Sequence, residues 1–203
     1  MKLYYAPTSP YVRKVMVLLH ETGQLDDVSL ENASGTPFAP AANLGTANPL
    51  SKVPALERPE GCTLYDSRVI CRYLDDRAKA RLYPEGARLW ETLTLEATAD
   101  GMMDAALLMT YEARLRPEDK RMPDFVDAQW AKIERACAAI NARWMSHLAG
   151  PLDAAQIAVG CALAYLDLRH DARGWRNGHT ALAEWYAAFA ERPSMQATVP
   201  PAG

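Results

Sequence analysis

"YYAPTSPYVRKV" spans residues 4–15 and joins a short apolar run to a helical pattern. Leu3 to Ala6 reads as a strand. Val12, Val15, Met16 and Leu19 then recur at i, i+3, i+4 and i+7, the stripe of an amphipathic helix. Between them sits Thr8-Ser9-Pro10. Serine is a favoured N-cap and proline a favoured first helical residue, so Ser9-Pro10 marks where the helix starts. The same position permits a second role. Amides at a helix N-terminus lack intrahelical partners and carry partial positive charge. A hydroxyl there can donate to an anion, and a thiolate suits the place because helix N-termini lower thiol pKa values. Ser9 is therefore either a cap alone or a cap that also faces a ligand.

Outward from this stretch the pattern stays mixed for some eighty residues. Gly23 closes the helix. Val28 and Leu30 alternate with polar neighbours and predict a second strand. Residues 33–49 have no period and predict a loop or one short helix. Residues 53–56 and 63–65 predict a hairpin turning at Glu60-Gly61, and Val69, Ile70, Tyr73 and Leu74 predict another helix. The order is β-α-β, loop, β-β-α, and its first three elements imply a parallel pair joined by a crossover helix.

The remainder predicts helices only. Leu89 to about Leu115 reads as one long helix ended by Arg116-Pro117. Val126, Trp130, Ile133, Cys137, Ile140, Trp144 and Leu148 hold a helical spacing, as do Ile157, Cys161, Ala164 and Leu168, and then Leu182, Trp185, Tyr186 and Phe189 before Arg192-Pro193. The expected organisation is a first domain over 1–77, a linker over 78–86 and an all-helical domain over 87–203.

Composition narrows the function. The chain has 203 residues, 49% of them hydrophobic and 23% charged, with a net charge of -3. No basic excess exists to neutralise phosphates, so neither a nucleic-acid nor an anionic-membrane partner is expected. The apolar run 157–166 is about half the length of a membrane span. Cys62, Cys71, Cys137 and Cys161 form no C-x-x-C pair and lack histidines at metal-ligand spacing, so no metal is expected. Free thiols fit a reducing compartment, and a cytoplasmic location is expected.

Two further places carry chemistry. In "NPLSKVPAL", residues 48–56, Pro54 opens a strand-like run, where a proline belongs at an edge or a strand start. With a cis Val53–Pro54 bond, the backbone of Val53 would face outward and pair with an extended peptide; the plain reading is an edge proline in trans. At Asp66-Ser67 the next helix begins. The pair either only caps it or holds an amino-acid head group, with Ser67 and the helix amides on a carboxylate and Asp66 on an ammonium.

Taken in order on this pattern, the three stretches resemble the bacterial cytosolic glutathione S-transferase family. The resemblance extends to "LYDSRVICRYLD", "EATADGMMDAALLMTYE" and "AQIAVGCALAYLDLR", and so to nearly the whole chain. It implies an α/β thioredoxin-like N-terminal domain, an all-α C-terminal helical domain and a homodimer. It implies a glutathione S-transferase, transferring alkyl or aryl groups in detoxification, that activates the glutathione thiol for attack on a small apolar electrophile. Ser9 would donate to the thiolate, with Thr8 the alternative donor; Tyr4 and Tyr5 are packing residues. Val53, with Pro54 cis, would pair with the cysteinyl part of glutathione. Asp66 and Ser67 would bind the γ-glutamyl end, Lys52 the glycyl carboxylate, and Asp104 or Asp100 would reach across the dimer. Tyr11, Met103, Leu107 and Tyr111 would wall the electrophile pocket.

The chain departs from relatives in three ways. One bacterial class carries a cysteine near position 9 or 10 and a histidine in the long helix. Here Ser9 and Pro10 stand instead, with no histidine between His20 and His147, which argues against cysteine-based disulfide exchange. Asp66 stands where many relatives have Glu or Gln. The cap of the later helix reads Asp153-Ala154-Ala155-Gln156, and Asp153 with Gln156 can still form it. The alternative functions are a non-catalytic glutathione-binding or regulatory protein and a glutathione-dependent isomerase or dehalogenase.

Overall fold

The computed structural model describes residues 1–201. The chain forms two units, one built from Met1–Glu85 with the stretch from Arg192 onward, the other from Gly86–Glu191.

The first unit holds β1 (Lys2–Tyr5), α1 (Pro10–Glu21), β2 (Ser29–Asn32), β3 (Ala55–Glu57) and α2 (Ser67–Ala78). The sheet order is β2-β1-β3, with β1 parallel to β2 and antiparallel to β3. Parallel strands need a crossover, and α1 supplies it. Leu3, Val15, Leu19, Leu56, Ile70 and Leu74 are fully buried and form the core under the sheet and the two helices. This is a thioredoxin-like unit.

Residues 33–49 form turns and no helix, the first of the two alternatives for that stretch. Two details differ from the pattern in the sequence. The second arm of the 53–65 hairpin shrinks to a single bridge, Leu56 to Leu64. Leu30 is 43% exposed because β2 is an edge strand with every residue exposed, although Val28 just before it is buried.

The second unit comprises α3 (Ala87–Leu115), α4 (Pro123–Arg143), α5 (Met145–Leu148), α6 (Ala154–His170) and α7 (Thr180–Ala190). Every residue of α6 from Ala154 to Leu166 is buried, as a helix that is apolar on all sides must be. It packs against α3 and α7. Its N-terminus is held by a complete capping box. Asp153 Oδ1 accepts from the Ala155 and Gln156 amides, and Gln156 Oε1 accepts from the Asp153 amide. The periodic stripe beginning at Val126 continues to Leu148, but the helix does not. α4 ends at Arg143, and α5 then buries Leu148 on its own. The outward face of α3 carries Trp90, Thr94, Ala97, Gly101, Asp104 and Leu108, all exposed and spaced 4, 3, 4, 3, 4.

From Arg192 the chain returns to the first unit, whereas the periodicity of the sequence assigned 87–203 to the second. α8 (Pro193–Ala197) packs on α1. The anchor is specific. Arg192 Nε and Nη2 donate to the two carboxylate oxygens of Glu21, both at 2.9 Å. The Ser194 hydroxyl donates to the same carboxylate, and Arg13 Nη2 donates to the Met195 carbonyl at 3.0 Å.

Candidate functional site

Strand register brings three loops to one end of the sheet. Tyr4 pairs with Ala55, so continuing the ladder sets Ala6, at the mouth of the Ser9 loop, opposite Val53. Leu56 pairs antiparallel with Leu64, so the chain that runs on from Leu64 into α2 heads toward the end of the sheet where β3 starts. The β1–α1 turn, the start of β3 and the N-terminus of α2 thus share an edge of the first unit.

Each loop presents polar groups that the fold leaves unsatisfied. Ser9 is the N-cap of α1, its backbone extended at φ -78° and ψ 122°. Its Oγ accepts from the Val12 amide at 3.3 Å. That contact uses a lone pair, so the hydroxyl proton is still available to donate. One hydroxyl can therefore cap the helix and still donate to a ligand. Thr8 is half-buried, and its hydroxyl meets no protein partner among the described residues.

The Val53–Pro54 peptide is cis. Neither the amide nor the carbonyl of Val53 meets a protein hydrogen-bond partner among the described residues. A half-buried residue with both main-chain groups open is an unfinished ladder position. Asn48, only 2% exposed, organises the loop that delivers it. Its Nδ2 donates to the Lys52 carbonyl at 2.8 Å, and its Oδ1 accepts from the Leu50 amide at 3.0 Å. This positioning residue was missed in the sequence, although the turn-forming pair Asn48-Pro49 signalled it.

Asp66 caps α2, its Oδ1 accepting from the Arg68 amide at 3.0 Å, and the peptide before it, Tyr65–Asp66, is also cis. Its carboxylate is otherwise exposed. Ser67, at the first helical position, is 2% exposed, and neither its amide nor its hydroxyl meets a protein partner among the described residues. Two donors at a helix N-terminus, with a carboxylate one residue away, suit an amino-acid head group carrying both charges. Lys52 is exposed and reaches no described acid.

The other candidates lie elsewhere in their units. Tyr11 is half-buried on α1. On α3, Met103 is buried, Leu107 and Tyr111 are half-buried, Asp104 is exposed and Asp100 is buried. Burial raises the Tyr111 pKa, so its phenol stays protonated. Tyr4 is a packing residue tied down by its hydroxyl, which donates to Glu57 at 3.0 Å. None of the four cysteines is in a disulfide, Cys62 being exposed and the others buried; burial pushes Cys137 up to about 12. Among the described residues no group of three or more His, Cys, Asp or Glu side chains is placed to hold a metal, and no helix is long and apolar enough to cross a membrane.

Residues 8–77 match the family model for the glutathione S-transferase N-terminal domain, and residues 123–188 match that for its C-terminal domain. The "Uncharacterized GST-like protein YibF" of Escherichia coli (strain K12) is 32% identical over 205 residues, covering 99% of both chains. A glutathione transferase family member from Pseudomonas fluorescens Pf-5, solved with bound glutathione, is 50% identical over 98% of both chains, with a TM-score of 0.96. A second structure from that organism, with bound S-(propanoic acid)-glutathione, is 48% identical over 99% of this chain and 100% of the other, with a TM-score of 0.92.

Proposed function

The chain belongs to the glutathione S-transferase family, and from that premise we propose that it binds glutathione at the shared sheet edge and activates its thiol. The observation that carries this reading is the convergence of three unsatisfied groups: the Ser9 hydroxyl proton, the Val53 main chain and the Ser67 donors beside Asp66. They match the sulfur, the peptide backbone and the γ-glutamyl head group of one tripeptide. The Pseudomonas fluorescens structures with glutathione and with a glutathione thioether support it.

In this reading Ser9 donates to the glutathione sulfur and favours the thiolate. A free thiol has a pKa of about 8.5, and lowering it by ~2 units takes about 2.7 kcal/mol of preferential thiolate stabilisation. One hydrogen bond to a charged acceptor at the positive end of α1 is of that size. The thiolate then forms a carbon–sulfur bond to an apolar electrophile, whose leaving group departs with the bonding electrons. Lys52 meets the glycyl carboxylate.

A homodimer belongs to the same reading. The exposed heptad-spaced face of α3, with small residues at Ala97 and Gly101, suits close packing against its copy and carries Asp104 toward the partner's γ-glutamyl ammonium. The free cysteines suit the cytoplasm.

Titration of the thiolate absorbance of bound glutathione tests the proposal. A pKa well below the free value supports activation. Binding with an unshifted pKa leaves a glutathione-binding protein without the catalytic step, and failure to bind overturns the site.

A further inference from the structure

The second unit encloses a cavity of about 90 Å³ between α4 and the loop that leads into α7. One wall is a single face of α4. Trp130, Ile133, Glu134 and Cys137 line it at i, i+3, i+4 and i+7. The loop supplies the other wall, with Trp175, Asn177 and His179. The floor is buried and apolar, since Ile133, Cys137 and Trp175 have almost no exposure, while Glu134 and Asn177 stand exposed at the rim.

The walls are set before any ligand arrives. Trp175 Nε1 donates to Asp167 Oδ1 at 2.7 Å, and its ring meets Tyr186 edge-on with centroids 5.8 Å apart. At the rim Arg173 lies over the Trp130 ring and donates to Asp127 at 2.8 Å, so its charge is already matched.

Two acceptors in the lining are not matched. His179 Nδ1 lies 2.6 Å from the Trp175 carbonyl. A carbonyl only accepts, so Nδ1 carries a proton, and on the neutral ring Nε2 holds a lone pair. Nε2 meets no protein partner among the described residues, and neither does the Glu134 carboxylate. The charge of Glu134 is nonetheless felt inside. Burial, and after it the Glu134 carboxylate, pushes the Cys137 thiol up to about 12, which leaves the floor neutral. Unmet acceptors, one of them anionic, call for a cationic donor, and indole rings tolerate a cation beside them. The volume equals that of about three waters, or a chain of roughly five heavy atoms.

We propose that this cavity binds a short primary alkylammonium group, its nitrogen donating to Glu134 and His179 Nε2 and its carbon chain lying against Ile133, Cys137 and Trp175. The site is separate from the glutathione reading, which uses none of these residues.

The test is titration of the intact chain with n-butylammonium and with n-butanol, followed by the indole N–H resonances in a nitrogen–proton NMR spectrum. Trp130 and Trp175 should shift and saturate, with a dissociation constant of about 1 mM for a ligand this small, while Trp90, Trp144 and Trp185 stay in place. The alcohol, of nearly the same shape without the charge, should bind about fivefold more weakly. Glu134→Gln, at an exposed position, should remove that preference and leave the alcohol within about twofold. Absence of saturation at Trp130 and Trp175 through about 20 mM overturns the site. Equal affinity for ammonium and alcohol, or a preference that survives Glu134→Gln, overturns the assignment of the ligand to its charge. Each of these results leaves the glutathione site standing.

Discussion

Replacing Ser9 with alanine removes two interactions of different size, and they can be read separately. The first is the cap. Ser9 Oγ accepts from the Val12 amide at 3.3 Å, a long contact for its kind, so its loss should cost the low end of the N-cap range, about 0.5–1 kcal/mol. For a chain of this length that is a fall in melting temperature of roughly 1–4 °C. The second is the proposed bond to the glutathione sulfur. A hydrogen bond to a charged acceptor contributes about 1.5–3 kcal/mol, which raises the pKa of bound glutathione by about 1–2 units when it is lost. Ser9→Asp separates the two. Its carboxylate still accepts from the Val12 amide and favours the helix N-terminus, yet it has no proton to donate and repels a thiolate. Ser9→Asp should therefore melt near the parent and show a thiol pKa at least as high as Ser9→Ala. Thermal melts and thiolate absorbance at varied pH measure both. A thiol pKa in Ser9→Ala that stays as low as in the parent, with Thr8→Val restoring the free value, refutes the assignment.

Three more outcomes are expected. Asp153 is 2% exposed and accepts from Thr92, His147 and two amides, so Asp153→Ala should cost about 3–5 kcal/mol, seen as a large drop in denaturation midpoint; a loss under 1 kcal/mol contradicts the importance of the box. Arg192, and after it Ser194, hold the Glu21 carboxyl below its ordinary 4.5 against the opposing effect of burial. A depressed folded pKa means stability that is present above the unfolded value and lost as pH falls through the folded one, so Glu21→Gln should cost about 1–2 kcal/mol at pH 7 and flatten the decline below about pH 4.5 in pH-dependent melts. Ala97→Arg places a charge in the middle of the exposed α3 face and should convert the proposed dimer to monomers in sedimentation; an intact dimer removes α3 as its seam.

Local signals were legible wherever their physics is local. Ser9-Pro10 starts α1, Asp66-Ser67 starts α2, and Asp153 to Gln156 closes a capping box, because a cap is written within four residues. Hydrophobic period misled at Trp144 because it reports which residues are buried and not whether main-chain bonds run on unbroken; α5 buries Leu148 on the same side after the break. The second arm of the hairpin failed for a similar reason, since alternation cannot count ladder bonds. The clasp of Arg192 on Glu21 joins positions 171 residues apart, and nothing near either one marks it. In the candidate site the residue types were readable, while the open main chain of Val53 could be offered only as one of two alternatives. An unpaired amide is a fact about what every other segment fails to do.

That clasp has a consequence for how the chain is made. Residues of the first unit up to Glu85 leave the ribosome about a hundred residues before Arg192, or some 5–20 s earlier at ordinary synthesis rates. During that interval Glu21 lies without its guanidinium, and the face of α1 that α8 later covers stays open. The helix that presents Ser9 at one end is thus fastened at its other end only late in translation. A nascent chain stalled before Arg192 would carry its whole sheet and both flanking helices, and still lack the latch.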